Sequence, residues 1–347
     1  MADNKAPYLS IKDLKVHFST EDGVVKAVDG VSYSVSEGET LGVVGESGSG
    51  KSVTGMSILG LHDSRRARIS GQVMVDGTDV LKLSEPKLRR MRGQSMSMIF
   101  QDALTALHPY FTIGKQIVEA YRLHHDVDSK TAKKRAVEML DRVGIPEPAR
   151  RFSQYPHEFS GGMRQRAMIA MSLVNDPRLI IADEPTTALD VTVQGQILDL
   201  LADLQNEFNS AIIMVTHDLG VISDIADRIV VMYAGKVVEE GTAVNVMAQP
   251  QHPYTWGLLN SVPTLHGDAG EDLRPIPGNP PSLLNVPSGC SFHPRCEHWL
   301  GKNSACDGEV PELIGINGEP AHVAACHLPE TTRRRIMETE VRKVETA

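Results

Sequence analysis

Short apolar runs bounded by glycine or polar residues recur along the first 249 residues of the chain. Residues 40–44 (TLGVV), 179–182 (LIIA) and 211–215 (AIIMV) each have the length and the continuous apolar character of a strand buried on both faces of a parallel sheet. Helical spacing of apolar residues follows Ser52 and Gly162. Residues 229–240 indicate two more strands that turn at Ala234 and Gly235. The pattern predicts an α/β fold.

The composition changes near residue 250. Twelve of the 20 prolines lie from Pro250 onward, and all four cysteines lie from Cys290 onward, whereas glycine punctuates the earlier part. A chain of 347 residues is also long enough for two domains. We therefore predict a larger domain over residues 1–249, a small Pro- and Cys-rich domain over residues 250–328, and a charged tail over residues 329–347.

The charge and hydropathy of the chain narrow the classes of partner. The formal net charge is −9, from 44 acidic and 35 basic residues, so the chain has no general attraction to nucleic acid phosphates. No apolar run approaches the roughly 18 residues that would span a bilayer. The first ten residues lack the pattern of a signal peptide. We expect a cytosolic protein, or one held at a membrane by other subunits.

A glycine-rich loop follows the first apolar run directly and leads into a helical pattern. The loop consists of Gly45, Glu46, Ser47, Gly48, Ser49, Gly50, Lys51 and Ser52. Strand, loop and helix in this order are the context of a phosphate-binding loop, because glycines let backbone N–H groups converge on phosphate oxygens. Lys51 adds a positive charge for the outer phosphates, and the Ser52 hydroxyl is placed to bind Mg²⁺. The loop predicts a nucleotide site.

Polar residues end the two later apolar runs. Asp183 can orient Mg²⁺ through water, and Glu184 can polarise an attacking water as a general base. An Asp-Glu pair after a strand is a weak signal alone, but here a phosphate loop precedes it and His217 follows it. His217 would reach the γ-phosphate from the carboxyl edge of the sheet, where ligands of open α/β sheets bind. These residues predict nucleotide hydrolysis.

Ser160, Gly161 and Gly162 form a second candidate anion-binding segment, at the start of a helical pattern. A monomer with one nucleotide site does not need two, so we predict that this segment closes on the nucleotide bound by another, similar subunit. At this point the chain resembles the ATP-binding-cassette (ABC) ATPases. Their motif usually begins with Leu and ends with Gln, where this chain has Phe159 and Met163.

The resemblance implies a fold and further site residues. The fold is a P-loop NTPase cassette with a RecA-like core, an antiparallel β subdomain and a helical subdomain at about residues 100–165. Gln101 is expected to sense Mg²⁺, as a third ligand group beside Ser52 and Asp183, and to face a membrane partner. Asp190 is expected to contact the other ATPase subunit. Phe18 is the candidate for stacking on adenine, although its place on an alternating strand fits a core residue equally well.

The segment 252–255 (HPYT), with Pro277-Gly278 and Pro280-Pro281, resembles the extension of dipeptide and oligopeptide importer ATPases, a group that includes nickel importers. The resemblance covers roughly residues 8–328. It implies an ATPase subunit at the cytoplasmic face of the cell membrane. Its partners would be a homologous second ATPase subunit, two transmembrane permease subunits and an external substrate-binding protein, with no nucleic acid.

The cysteines Cys290, Cys296, Cys306 and Cys326 leave gaps of 5, 9 and 19 residues. This spacing matches neither paired zinc-ribbon gaps nor ferredoxin runs, so it leaves an iron–sulfur cluster, zinc and free thiols open. Because related importer ATPases carry a four-iron cluster here, the resemblance favours a [4Fe-4S] cluster. Four nearby histidines keep a mixed zinc site open: His293, His298, His322 and His327.

Two other functions remain open from the sequence. One is a soluble cassette ATPase that acts on nucleic acid or ribosomes. Such proteins tend to carry two cassettes in one chain or long insertions, which this acidic chain lacks. The other is a redox sensor in which the cysteine domain gates the ATPase.

Overall fold

The computed structural model describes residues 6–186, 191–261, 275–316 and 318–341. In chain order the strands are β1 (Leu9–Thr20), β2 (Gly23–Val35), β3 (Thr40–Val44), β4 (Ala67–Val75), β5 (Thr78–Asp79), β6 (Ser97–Ile99), β7 (Leu179–Asp183), β8 (Ala211–Thr216), β9 (Arg228–Tyr233), β10 (Lys236–Thr242), β11 (Ile314–Ile316) and β12 (Glu319–Ala324).

The helices lie between strands, and the last one follows β12. They are α1 (Lys51–Ile58), α2 (Glu85–Met91), α3 (Ala103–Ala106), α4 (Ile113–Arg122), α5 (Ser129–Arg142), α6 (Pro148–Arg151), α7 (Gly161–Leu173), α8 (Val191–Phe208), α9 (Leu219–Ser223), α10 (Ala243–Ala248), α11 (Pro253–Asn260), α12 (Ala305–Gly308) and α13 (Glu330–Glu340). Helices α3 to α7 follow one another after β6. The α/β class predicted from the sequence is confirmed. Within the described ranges, no helix is both long and apolar enough to cross a membrane.

The chain divides into two compact units, and residue 250 is not the boundary between them. Unit one comprises residues 1–9, 35–39 and 74–213, and unit two comprises residues 10–34, 40–73 and 214–347. The predicted C-terminal domain therefore belongs to the same unit as the glycine-rich loop.

In unit one, parallel strands β6 and β7 carry the polar groups of interest at their carboxyl ends. Ser97 pairs with Ile180 and Ile99 with Ala182, and every residue of both strands is buried. Helix α7 packs against β6 and against α3, α4 and α5. Four residues of α5 recur on one face and are fully buried: Ala132, Ala136, Met139 and Leu140. The segment predicted as a helical subdomain thus contains α3 to α6.

In unit two, the strand order β3-β9-β10-β12-β11 joins the cassette to its extension in one sheet. β3 pairs with β9 in parallel, and β9 and β10 form an antiparallel hairpin whose turn is Ala234-Gly235. Both turn residues have positive φ, +46° and +79°, as a tight two-residue hairpin requires. The predicted turn is confirmed. A separate sheet of unit two has the order β2-β1-β4.

The extension is joined to the cassette through β12, which pairs with β10 at Glu239 and Glu240. The fully buried Glu239 carboxylate accepts hydrogen bonds from the backbone N–H groups of Gln251 and His252 and contacts the His322 ring at 2.8 Å. The predicted charged tail begins with α13, where Ile336 packs with Trp256 and Leu328. Its last residues, 342–347, lie outside the described residues.

Candidate active site

The glycine-rich loop, residues 45–52, lies in unit two between β3 and α1, as the sequence predicts. Backbone packing explains the glycines, because a Cβ on Gly45 would lie 2.2 Å from the Met232 carbonyl oxygen. A Cβ on Gly50 would lie 2.4 Å from the Ala27 carbonyl oxygen. Both glycines also have positive φ, +152° and +102°. The chain therefore passes too close to its neighbours for any other residue at these two positions.

The loop is shaped to receive an anion. Lys51 is buried, and its ammonium donates to the carbonyl oxygens of Gly45 and Glu46 at 2.6 and 3.0 Å. The buried Ser49 Oγ has no hydrogen-bond partner among the described residues. Nothing lies within 4 Å of where a Cβ on Gly48 would be, so the front of the loop is open. A buried cation, an orphaned hydroxyl and an open glycine turn fit phosphate groups.

Two residues of the C-terminal extension contact Glu46 of the loop. The Glu46 N–H donates to the Tyr254 hydroxyl at 2.7 Å. The Arg295 guanidinium donates to both carboxylate oxygens of Glu46, at 2.6 and 3.0 Å. Although burial opposes its charge, these hydrogen bonds raise the pKa of Arg295 above its ordinary value. Sequence reasoning missed both contacts, although it singled out the segment 252–255 that carries Tyr254.

Unit one brings Gln101 and Glu184 together. Since β6 and β7 are parallel neighbours in register, the residues that follow them emerge at the same edge, and Gln101 Nε2 donates to Glu184 Oε2 at 2.9 Å. Glu184 is half-buried and has φ +44°, a conformation that costs a non-glycine residue about 1 kcal/mol or more. Asp183 is buried at the end of β7. The strained Glu184 carries a carboxylate beside an amide at a strand edge, the arrangement predicted for a general base.

Residues 160–162 begin helix α7 in unit one. The Ser160 hydroxyl caps the helix by accepting from the Met163 N–H at 3.3 Å, and Ser160 and Gly161 are exposed. Nothing lies within 4 Å of where a Cβ on Gly161 would be. Farther along the helix, Gln165 donates to the Pro185 carbonyl oxygen at 2.7 Å, next to Glu184. The predicted anion-binding segment is therefore a capped helix N-terminus with open space before it.

Three further predicted site residues lie among the described residues, and one lies outside them. His217 is exposed and lies between β8 and the Asp218 cap of α9. Phe18 is half-buried on β1, and its ring meets the ring of His62 edge-on, with centroids 5.4 Å apart. Ser52 lies in the first turn of α1 and is half-buried. Asp190 lies outside the described residues.

The four cysteines line one cavity of about 20 Å³ in unit two, together with His252, His293, His298 and His327. Burial, with smaller contributions from the neighbouring thiols, raises the pKa of Cys296 to about 12 and that of Cys326 to about 11. These two thiols are therefore protonated at neutral pH unless a metal displaces the protons. Among the described residues, no three or more His, Cys, Asp or Glu side chains form a group that could hold a metal ion.

Comparison with known families gives two matches along the chain. The family model described as ABC transporter matches residues 28–187. The model described as oligopeptide/dipeptide transporter, C-terminal region, matches residues 238–302. The second match includes Tyr254 and Arg295, the two residues that contact the loop.

Individual proteins agree with these matches. The chain is 53% identical over 320 residues to the oligopeptide transport ATP-binding protein OppD of Escherichia coli K12, which covers 88% of this chain and 94% of that protein. It is 51% identical over 293 residues to OppD of Bacillus subtilis 168, covering 84% and 82%. The ATP-binding cassette MJ0796, solved as a dimer in a post-hydrolysis state with ADP and Pi, superposes with a TM-score of 0.62 at 28% identity, covering 68% of this chain and 98% of that one. The chain therefore belongs to the ABC transporter ATPases, in the group that carries the oligopeptide/dipeptide transporter C-terminal region.

Proposed function

We propose that this chain is the ATP-hydrolysing subunit of a membrane importer for oligopeptides. The observation that carries ATP hydrolysis is the contact of Gln101 with Glu184, because it holds a carboxylate at the strand edge where a general base acts. The names of the OppD relatives, together with the matching C-terminal region, support oligopeptides as the transported solute. An importer for nickel or another solute is the alternative within the same family.

Each site residue has a proposed role in the reaction. Lys51 and the backbone amides of residues 45–52 hold the phosphates, and the Ser52 hydroxyl is a ligand for Mg²⁺. In unit one, Asp183 and Gln101 supply oxygen ligands to Mg²⁺, which neutralises charge on the phosphates when bound. Glu184 accepts the proton of the attacking water, and His217 donates to the γ-phosphate. Phe18 stacks on adenine, and Asp190 contacts the second ATPase subunit.

The partners follow from what this chain leaves open. Residues 160–162 present a capped, exposed helix N-terminus, which supports a role on the ATP of a homologous second ATPase subunit. Two transmembrane permease subunits and an external substrate-binding protein complete the proposed importer. This subunit is then peripheral, at the cytoplasmic face of the cell membrane.

We propose that the four cysteines around this cavity hold a [4Fe-4S] cluster. Four thiols around one small cavity are the ligand set of such a cluster. A bound cluster would supply redox chemistry and cross-link the proline-rich extension, whose small size gives it little apolar core. Zinc, with His293, His298 or His327 among its ligands, is the alternative. Anaerobic purification followed by iron, sulfide and zinc analysis distinguishes them: about four irons per chain supports the cluster, and one zinc contradicts it.

The Glu184→Gln variant tests ATP hydrolysis. Loss of the proton acceptor should slow turnover by about 10² to 10⁴-fold while ATP still binds. Glu207→Gln is a matched control, because Glu207 is an exposed partner of Arg142 in the same unit. If Glu184→Gln hydrolyses ATP at the wild-type rate, the assigned base is wrong.

Purification in mild detergent from native membranes tests the importer assignment. A second ATPase of the same family, two multi-helix membrane proteins and a binding protein that retains peptide are the expected companions. Recovery of ribosomal or DNA-associated proteins instead would favour the soluble alternative and contradict import. Recovery of a nickel-binding partner would replace peptide as the solute.

A further inference from the structure

All three guanidinium nitrogens of Arg295 donate hydrogen bonds. Its Nε donates to the Pro277 carbonyl oxygen at 2.8 Å, and its Nη2 donates to that of Gly278 at 3.3 Å. Both of its terminal nitrogens also donate to the Glu46 carboxylate. Its side chain is only 6% exposed, compared with 27% for Glu46. The guanidinium is therefore fixed from behind by backbone carbonyls, and its fork faces the phosphate loop.

Aromatic rings pack beside the contact between Arg295 and Glu46. The Tyr254 ring packs on the rings of Tyr233 and Phe292, with centroids 4.7 and 5.4 Å away. Its hydroxyl accepts the Glu46 N–H, which fixes the orientation of that peptide plane. Arg295 Nη1 also approaches the Tyr233 hydroxyl at 3.4 Å. Both the side chain and the backbone of Glu46 are thus bound by residues outside the loop.

The negative charge of Glu46 makes its contact with Arg295 important for ATP binding. Glu46 is the second residue of a loop whose remaining groups, Lys51 above all, attract phosphates. An uncompensated carboxylate at that position would repel the triphosphate at short range, where solvent screening is weak. A bidentate guanidinium cancels this charge and at the same time limits the movement of the carboxylate.

We propose that Arg295 is a positioning residue for ATP binding. It neutralises Glu46 and, with Tyr254, holds the backbone of the phosphate loop in the shape that receives the phosphates. The C-terminal extension thereby sets the ATP affinity of the cassette. The inference rests on the proposed ATPase function.

Titration of the purified full-length chain with Mg-ATP, together with steady-state hydrolysis, tests the proposal. Arg295→Gln leaves Glu46 charged and unpaired, so ATP should bind about 10- to 100-fold more weakly. The KM for ATP should rise by a similar factor, while kcat at saturating ATP stays within about threefold, because the hydrolytic groups are untouched. Arg334→Gln is the matched control, since it removes an exposed arginine–glutamate pair of the C-terminal tail in the same unit.

The double variant Glu46→Gln/Arg295→Gln separates charge compensation from a purely structural role. Removing both charges together should restore ATP affinity to within about threefold of wild type. Equal ATP affinity for Arg295→Gln and wild type overturns the proposal. Equally weak binding by the single and double variants also overturns it, because the arginine would then act only as an anchor of the extension.

A second variant covers the case in which Arg295→Gln does not fold. Arg295→Lys keeps the charge but cannot span both carboxylate oxygens, so its ATP affinity should fall about threefold. If Arg295→Lys binds ATP with wild-type affinity, the contact of two guanidinium nitrogens with the Glu46 carboxylate has no role in ATP binding. The wild-type chain distinguishes the two levels of inference: if it does not bind ATP, the proposed function itself fails, whatever the variants do.

Discussion

The phosphate loop of unit two consists of residues 45–52, and the acidic edge of unit one is the carboxyl end of β7 with Asp183 and Glu184. These two regions differ in how far contacts within this chain fix their shape. The loop is held by backbone packing at Gly45 and Gly50 and by the extension at Glu46. In unit one, Glu184 is half-buried with a left-handed backbone, and the Ser160 hydroxyl caps the start of α7. The loop has its shape fixed by contacts within the chain, whereas Ser160 and Gly161 are exposed at a helix N-terminus.

The contrast indicates where a second molecule is needed. A loop with its own cation and its own supports can bind a nucleotide alone. An exposed helix N-terminus carries a partial positive charge and unpaired backbone N–H donors, so we expect residues 160–162 to contribute to a nucleotide whose other contacts come from a second surface.

Lys51→Ala should have the largest effect, on the loop. Removal of its buried ammonium takes away the point charge for the outer phosphates, so ATP affinity should fall by at least about 100-fold. Calorimetric titration with Mg-ATP measures this loss. Lys12→Ala, at an exposed position on β1, serves as the control and should bind normally. Retained binding by Lys51→Ala would mean that the loop is not the phosphate site.

Gly161→Asp should act on hydrolysis without weakening ATP binding by this chain. The new carboxylate would face the phosphates of a partner's ATP, and turnover of the assembled importer should fall about tenfold or more. The fold should be unharmed, because the space around Gly161 is open and an acidic residue suits a helix N-terminus. Gly161→Ala adds a Cβ without charge and is the matched control. Equal turnover in the two variants would remove the role of the segment.

Gln101→Ala should have a smaller effect, on the acidic edge alone. Loss of the 2.9 Å hydrogen bond frees the Glu184 side chain and removes an amide oxygen proposed for Mg²⁺, so kcat should drop about tenfold. The concentration of Mg²⁺ needed for half-maximal rate should rise as well. Gln94→Ala, on an exposed loop of the same unit, is the control. An unchanged magnesium dependence would contradict the ligand role.

Lowering the pH should lower the free energy of unfolding through His252, which lies in the extension that contacts the loop. Burial, followed by the charge of Arg333, lowers the pKa of His252 to about 3. The unfolded chain binds this proton below about pH 6.5 and the native chain does not, so stability is lost as pH falls through that range. The loss should be about 2 kcal/mol between pH 7 and pH 5.

Urea unfolding of the wild type and of His252→Asn at both pH values measures this contribution. His252 Nδ1 caps α11 by accepting the Tyr254 N–H, and an asparagine oxygen can replace that cap without titrating. The variant should therefore lose less stability on acidification. Identical losses in the two proteins would show that His252 is not the titrating group.

Local patterns predicted the parts of the molecule that are local in sequence. β3, the loop and α1 follow one another, and Ala234-Gly235 connects adjacent strands, so residue order alone placed them. Gln101 and Glu184 are 83 positions apart. The resemblance to a known family placed Gln101 at the Mg²⁺ site, but only the parallel register of β6 and β7 brings the two side chains into contact.

The missed features depend on long-range contacts. Arg295 and Glu46 are separated by 249 positions, and neither residue type announces an ion pair. The pairing of β12 with β10 was also missed, because a break in composition at residue 250 suggests a separate domain although the hydrogen bonds continue across it. Phe18 illustrates the same limit: its ring meets His62, which no alternation pattern could reveal.

The parallel pairing of β3 with β9 also has a consequence for the order of events during synthesis. Leu41 pairs with Arg228, so the strand that leads into the phosphate loop waits for 187 further residues before its neighbour exists. At the usual pace of about 5 to 20 residues per second, this delay is roughly 10 to 40 s. Arg295 leaves the ribosome later still, so the nascent chain spends most of its synthesis with a glycine-rich loop that lacks its supports.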